Sequence, residues 1–139
     1  MYAFDLNGER IGTIRIVPMG LGLTLTETLL PDAGEAAPTV TPGDWEVGRL
    51  VLAPDYRADV DALRYCLHLA LEYTRRETEV HRLFASCTHV LSRLYRRFAF
   101  QTFARDVPLR GTGKTYTLIN GAFDDVGSAL AGRPAAAPH

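Results

Sequence analysis

The chain has no long uncharged apolar run. Its most apolar stretch of helical character, Leu67 to Tyr73, runs straight into Arg75 and Arg76, so no segment suits a helix crossing a bilayer. A basic start leading into an apolar segment is missing too. Met1 to Arg10 carries Asp5 and Glu9, which argues against a secretory leader and predicts a cytoplasmic protein. Two cysteines, Cys66 and Cys87, are too few for a disulfide framework, and buried free thiols are expected. The four histidines, His68, His81, His89 and His139, have no ligand spacing with them, so no metal is expected. Charge of one sign is also lacking: the formal net charge is -1 over 139 residues, which indicates neither a nucleic acid nor an anionic membrane surface as partner.

What is present suits one domain with its own core: 47% apolar and 22% charged residues in a chain of single-domain length. Tyr2 to Leu6, Asn7-Gly8 and Arg10 to Val17 read as a hairpin, because Asn-Gly tolerates the positive φ of a tight turn. Leu25 to Leu30 suits a short helical turn, and Asp32 to Gly43, rich in Pro, Ala, Gly and Thr, predicts a mobile loop. Trp45 to Ala53 holds a near-continuous apolar run, Val47 and Leu50 to Leu52, which predicts a central strand covered on both faces. Beyond Asp59, Val60, Leu63, Leu67, Ala70 and Leu71 recur at helical spacing, with acids at the start and Arg75 and Arg76 at the end, as the helix dipole favours. His81 to Cys87 reads as a second buried strand, Thr88 as an N-cap, and His89 to Arg97 as a shorter helix. Phe98 to Val107 and Lys114 to Asn120 read as strands flanking a turn at Arg110 to Gly113. One domain over 1–120 is predicted, with 121–139 a partly disordered tail that includes a helical turn near Val126 to Leu130. The expected class is α/β (α+β): a mixed, mostly antiparallel sheet with a central parallel β-α-β crossover and helices on its faces.

Three motifs stand in order on these elements: Gly12-Thr13-Ile14-Arg15-Ile16-Val17-Pro18, Trp45-Glu46-Val47-Gly48-Arg49-Leu50-Val51-Leu52, and Leu94-Tyr95-Arg96-Arg97-Phe98-Ala99-Phe100. The first resembles the Gly-x-x-Arg-Leu-x-Pro strand of the acyl-homoserine-lactone synthases and their N-acyl amino acid synthase relatives. The second is similar to the Glu-x-Ser-Arg strand of that branch, with Gly48 where serine is usual. The third resembles the Leu-Tyr-x-x-x-Gly-Phe helix end of GNAT proteins at large, with Ala99 where glycine is usual. The chain thus resembles the GNAT-fold N-acyltransferase superfamily, nearest its N-acyl amino acid synthase and acyl-homoserine-lactone synthase branch.

The resemblance implies an N-acyltransferase moving an acyl group from an acyl-coenzyme A or acyl-carrier-protein thioester to a small-molecule amine, an amino acid being one candidate. Such a reaction needs a base for the ammonium, donors for the tetrahedral oxyanion and an acid for the thiolate. Glu46 is the base candidate; its plainer reading is an ion pair with Arg15 or Arg49. Arg15 and Arg49 are otherwise suited to gripping an acceptor carboxylate. Tyr95 is the acid candidate by resemblance, or an aromatic packing residue, and Trp45 either walls an acyl pocket or packs in the core. Backbone N–H groups at Leu52 and Ala53, with Arg57, are the expected thioester contacts. Tyr56 to Ala62 has no glycine and carries Asp59 and Asp61 where the family's phosphate-binding glycines fall, which favours a carrier-protein thioester over free coenzyme A. The family's opening strand and helices have no counterpart before Tyr2, so an open sheet edge and a homodimer are expected. The rival reading is a non-catalytic GNAT-like module binding an acyl chain or a protein partner.

Other patterns carry less. Gly111-Thr112-Gly113-Lys114-Thr115 is no phosphate loop, since the required first glycine falls at Pro108 and a strand follows. Cys87 with His89 is a weak nucleophile pair. Arg93, Arg96 and Arg97 make a solvated helix face or a docking surface for an acidic carrier protein.

Overall fold

A computed structural model of the chain describes residues 2–6, 9–56 and 60–132. The Asn7-Gly8 turn, Arg57 and the end of the expected tail lie outside them. Among the described residues the strands are β1 (Tyr2–Leu6), β2 (Glu9–Pro18), β3 (Asp44–Leu52), β4 (Arg82–Cys87), β5 (Gln101–Leu109) and β6 (Lys114–Ala122). They form one sheet in the order β1-β2-β3-β4-β6-β5. Every neighbouring pair is antiparallel except β3 and β4, which are joined by a crossover through a long helix. This is the mixed sheet that the sequence predicts.

Helices cover the two faces unequally. On one face, α2 (Val60–Glu77) buries Leu63, Cys66, Leu67, Ala70 and Leu71 along a single stripe and joins the main core. The helix α3 (His89–Tyr95) begins where the Thr88 hydroxyl accepts the Leu91 N–H at 3.2 Å, so the N-cap falls at the predicted residue. A third helix, α4 (Phe123–Leu130), corrects the boundary expected at residue 120. Phe123, Val126 and Leu130 are buried in the main core, and the Arg75 guanidinium lies 5.3 Å from the Phe123 ring centroid. Among the described residues, the opposite face carries only the short α1 (Leu25–Leu29) and the 3-10 turn after it, over a smaller core of Leu29, Val107 and Leu118. The loop expected to be mobile is tied down: Arg110 pairs with Asp32 at 2.7 Å, Arg82 donates to the Thr39 carbonyl at 2.8 Å, and the Thr41 N–H donates to Asp44 at 2.7 Å.

The central strand is not covered on both faces along its length. Thr13 pairs with Val51 but Arg15 with Gly48, so β3 carries one extra residue, and Arg49 takes up φ 50° there. The bulge reverses the alternation. Trp45 and Val47 before it, and Leu50 and Leu52 after it, all pack toward the same core, while Val51 is exposed. An apolar run that reads as burial on both faces is therefore one face continued across a change of phase. Gly12 lies opposite Leu52, and a Cβ there would stand 2.8 Å from the Leu52 Cδ2 and 3.1 Å from the Val51 carbonyl oxygen, so a side chain at this position would have to displace its neighbours. No helix among the described residues is long and apolar enough to cross a membrane.

Candidate functional site

β3 and β4 run together for only three residue pairs, from Asp44 with Arg82 to Glu46 with Phe84. Beyond Glu46 they part, so the backbone of β3 from Val47 onward has no ladder partner in β4. The closed end of this V is fastened by a buried ion pair. The Arg82 Nε and Nη2 groups donate to the Asp44 carboxylate at 2.8 and 2.6 Å, and Asp44 is 1% exposed. Burial alone pushes the Asp44 pKa up, but the Arg82 hydrogen bonds, the Thr41 N–H and the guanidinium charge outweigh it and hold the carboxyl below its ordinary value.

Glu46 sits where the strands part, on the face covered by α1, and is almost fully buried. Its Oε2 accepts the Thr26 backbone N–H at 2.7 Å. That donor belongs to the first turn of α1, where N–H groups have no partner within the helix. The Thr26 hydroxyl in turn meets the Ser86 hydroxyl at 2.7 Å, which seats α1 on β4. Around Glu46 lies a cavity of about 240 Å³ shared by Arg15, Val17, Leu25, Arg49 and Ser86. Antiparallel pairing explains the gathering: Arg15 opposite Gly48 and Val17 opposite Glu46 place these side chains on one face. Among the described residues, neither Arg15 nor Arg49 forms an ion pair with Glu46. A second, apolar cleft of about 250 Å³ lies between the outer half of β3 and α3, lined by Leu50, Val51, Leu52 and Leu91.

Of the residues singled out from the sequence, Arg15, Glu46 and Arg49 come together. Trp45 does not join them: successive strand residues point to opposite faces, and Trp45 packs against the main core. The parting begins at Val47; Leu52, whose backbone N–H was expected with that of Ala53 to meet the thioester, is paired to Gly12, and its side chain lines the apolar cleft. Tyr95 is buried on the helical side, edge-on to Phe100 with ring centroids 5.1 Å apart, and does not line the Glu46 cavity. Burial, and secondarily the neighbouring Cys87, push its phenol well above the ordinary range. The thiol of Cys87 is itself pushed up by burial to about 12, and that of Cys66 to about 11, so neither is a thiolate nucleophile at neutral pH. No group of three or more metal-ligating side chains gathers among the described residues. Sequence reasoning missed Thr24, Thr26 and Ser86. A signal existed for the first: Thr24-Leu25-Thr26-Glu27 is a capping box, and Thr24 caps α1 while Glu27 answers it.

No family model matches the sequence, and neither does any curated protein sequence. Solved structures do match. The acyl-homoserine-lactone synthase LasI is similar at 19% identity and TM-score 0.63, over 97% of this chain and 70% of that one. The coenzyme-A-dependent acyl-homoserine-lactone synthase BjaI is similar at 15% identity and TM-score 0.59, over 94% of this chain and 63% of that one. A GNAT-family acetyltransferase from Streptococcus pneumoniae is similar at 14% identity and TM-score 0.56, over 85% of this chain and 62% of that one. This chain thus spans roughly two thirds of the length of these proteins. The likeness establishes the GNAT fold, with acyl-homoserine-lactone synthases among its structural neighbours.

Proposed function

From a GNAT fold whose central strands part beside a buried carboxylate, we propose that this chain is an N-acyltransferase. It moves an acyl group from a coenzyme A or carrier-protein thioester to an amine, with an amino acid as the favoured acceptor. One observation carries the reading: Glu46 lines a polar cavity at the point where β3 leaves β4, with Arg15 and Arg49 beside it. The thioester enters the apolar cleft between β3 and α3, and its carbonyl meets the β3 backbone freed beyond Glu46. The acceptor occupies the Glu46 cavity, its carboxylate on the guanidinium groups. Glu46 takes a proton from the ammonium, through a water if needed, and the free amine attacks the thioester carbon. The C–S bond then breaks as the attacking nitrogen sheds its second proton to become the amide, and that proton neutralises the departing thiolate; Tyr95, the acid that the resemblance implies, lines neither cavity and would have to act through an intervening group. BjaI, solved with SAM and isopentyl-CoA, supports an acyl-CoA donor for this fold.

The test is thiol release from acyl-coenzyme A and acyl-carrier-protein thioesters with mixed amino acids, comparing the wild type with Glu46→Gln. Amine-dependent release that falls by about 10² or more in the variant supports the reading, the range expected for losing a general base. The burial of Tyr95 away from the cavity favours a second reading, a module that binds an acyl chain or protein partner without turnover. No release from any thioester, together with a thermal shift on adding one, would select that reading.

A further inference from the structure

The segment between β2 and α1 carries Leu21 and Leu23, which are 76% and 82% exposed. Exposed leucines are unremarkable on a loose loop, but here the two glycines beside them are both held by one carboxylate. The Glu27 Oε2 accepts the N–H groups of Gly20 at 3.0 Å and Gly22 at 2.8 Å. Its Oε1 accepts the Thr24 hydroxyl at 2.9 Å, while the Glu27 N–H donates back to Thr24 Oγ1 at 3.1 Å. Both glycines are at positive φ, 114° and 73°, a conformation that lets alternate N–H groups converge and that side-chain-bearing residues resist. Burial raises the Glu27 pKa, but the Gly22, Thr24 and Gly20 donors prevail and lower it, so the carboxyl is ionised at neutral pH.

The clamped segment is also one wall of the Glu46 cavity. Leu23, Thr24 and Leu25 line it, Val17 extends the apolar surface from β2, and the next residue, Thr26, supplies the N–H that holds Glu46 Oε2. The Glu27 clamp is therefore joined to the base candidate through the adjoining Thr26 and one hydrogen bond. This link passes through the rim that an acceptor must cross.

We propose that Glu27 is a positioning residue of this site: it holds Gly20 to Thr24 as a rigid rim that presents Leu23 to an apolar substituent on the acceptor, and it keeps the Thr26 N–H on Glu46. The acceptor class that follows is an amino acid with an apolar side chain. Its carboxylate lies on Arg15 or Arg49, its ammonium at Glu46, and its side chain against Val17, Leu23 and Leu25. This assignment rests on the acyltransferase reading; the clamp itself does not.

Two measurements on the full chain separate them. Amide hydrogen exchange by NMR compares the wild type with Glu27→Ala. Exchange at Gly22 and Thr26 is expected to quicken at least tenfold, while Ile119 in the β4–β6 ladder stays as it was. Unchanged exchange at Thr26 overturns the positioning role whether or not the protein turns over. Should Glu27→Ala fail to fold, Glu27→Gln, which keeps one acceptor oxygen, carries the same comparison. Thiol release from an acyl-coenzyme A then compares leucine with glycine as acceptor. The wild type is expected to favour leucine in kcat/KM by about tenfold or more, the discrimination an apolar pocket can supply. Leu23→Ala and Glu27→Ala should each cut that preference at least fivefold through KM, whereas a merely structural Glu27 would lower the folded fraction and leave the ratio alone. Equal use of leucine and glycine by the wild type overturns the acceptor class. Absence of release with every acceptor, from acyl-coenzyme A and acyl-carrier-protein thioesters alike, overturns the acyltransferase reading and leaves the exchange result to decide the clamp.

Discussion

Asp44→Asn probes the fastening at the closed end of the V. Asp44 Oδ1 accepts Arg82 Nε at 2.8 Å, and Oδ2 accepts Arg82 Nη2 at 2.6 Å, the Thr41 N–H at 2.7 Å and the Thr41 hydroxyl at 3.2 Å. Asparagine keeps the shape but turns one oxygen into an amide donor facing other donors, and it leaves Arg82 without a counter-charge. Breaking a fully buried pair costs about 3–5 kcal/mol, but the Arg82 side chain is 28% exposed and recovers some hydration, so about 2–3 kcal/mol is expected at pH 7. In urea that loss moves the unfolding midpoint down by roughly 1 M. The pH dependence follows from the lowered pKa of Asp44. A carboxyl depressed in the folded state contributes its stability above the unfolded value, about 3.9, and loses it as pH falls through the folded value. The gap between wild type and variant should therefore hold from pH 7 to about pH 4 and close below that, as the wild-type carboxyl gains its proton. A gap under about 0.5 kcal/mol at pH 7, or one that persists unchanged into acid, would refute the reasoning, since exposed pairs and uncharged contacts behave that way.

Ala99 holds φ 68°, left-handed for a residue with a side chain. Ala99→Gly should relieve about 1–2 kcal/mol of strain against a smaller loss in chain entropy, raising Tm by about 2–4 °C in a melting scan; a lower Tm would contradict this. At Gly48, an added Cβ would stand 3.3 Å from Glu46 Oε1. Gly48→Ala should displace the carboxylate by a few tenths of an ångström and lower kcat/KM for thiol release by about tenfold with little loss of stability, and an unchanged kcat/KM would mean that the position of Glu46 is not limiting. Tyr95→Phe leaves the buried ring in place and removes only the hydroxyl. If Tyr95 protonates the thiolate, kcat falls by about 10² while urea stability moves by less than about 1.5 kcal/mol; an unchanged kcat would assign it to packing.

Element order was legible because each element carries its own periodicity or punctuation. The stripe from Leu63 to Leu71, the Thr88 cap and the turn before Lys114 act locally, and the structure repeats them. The C-terminal boundary was not, although Phe123, Val126 and Leu130 have helical spacing, because the Ala- and Pro-rich residues after them lent the whole segment the look of a tail. At the site, Arg15, Glu46 and Arg49 were legible through the resemblance of their strands to those of the synthase branch. The cover over them was not, since α1 is only five residues long and its evidence lay in the Thr24-to-Glu27 capping box, which acquires meaning once Thr26 is seen to face Glu46.

The bulge at Arg49 shows why the remainder needed three dimensions. A strand that keeps its alternation past Glu46 would turn Leu50 and Leu52 toward the α1 face and take the apolar wall away from the helical core. One extra residue corrects the phase, so β3 remains buried on its helical side while parting from β4. The same residue brings a guanidinium to the rim of the Glu46 cavity. Neither effect is visible in composition or period, because the bulge reads in sequence as a near-continuous apolar run broken at Gly48 and Arg49. The two demands on β3, to stay in the core and to free its backbone toward β4, are met at one position, where a non-glycine residue accepts a positive φ. Strain of this kind persists only where surrounding contacts enforce it. Here the β2 pairing on one side and the Asp44–Arg82 fastening at the closed end provide that enforcement.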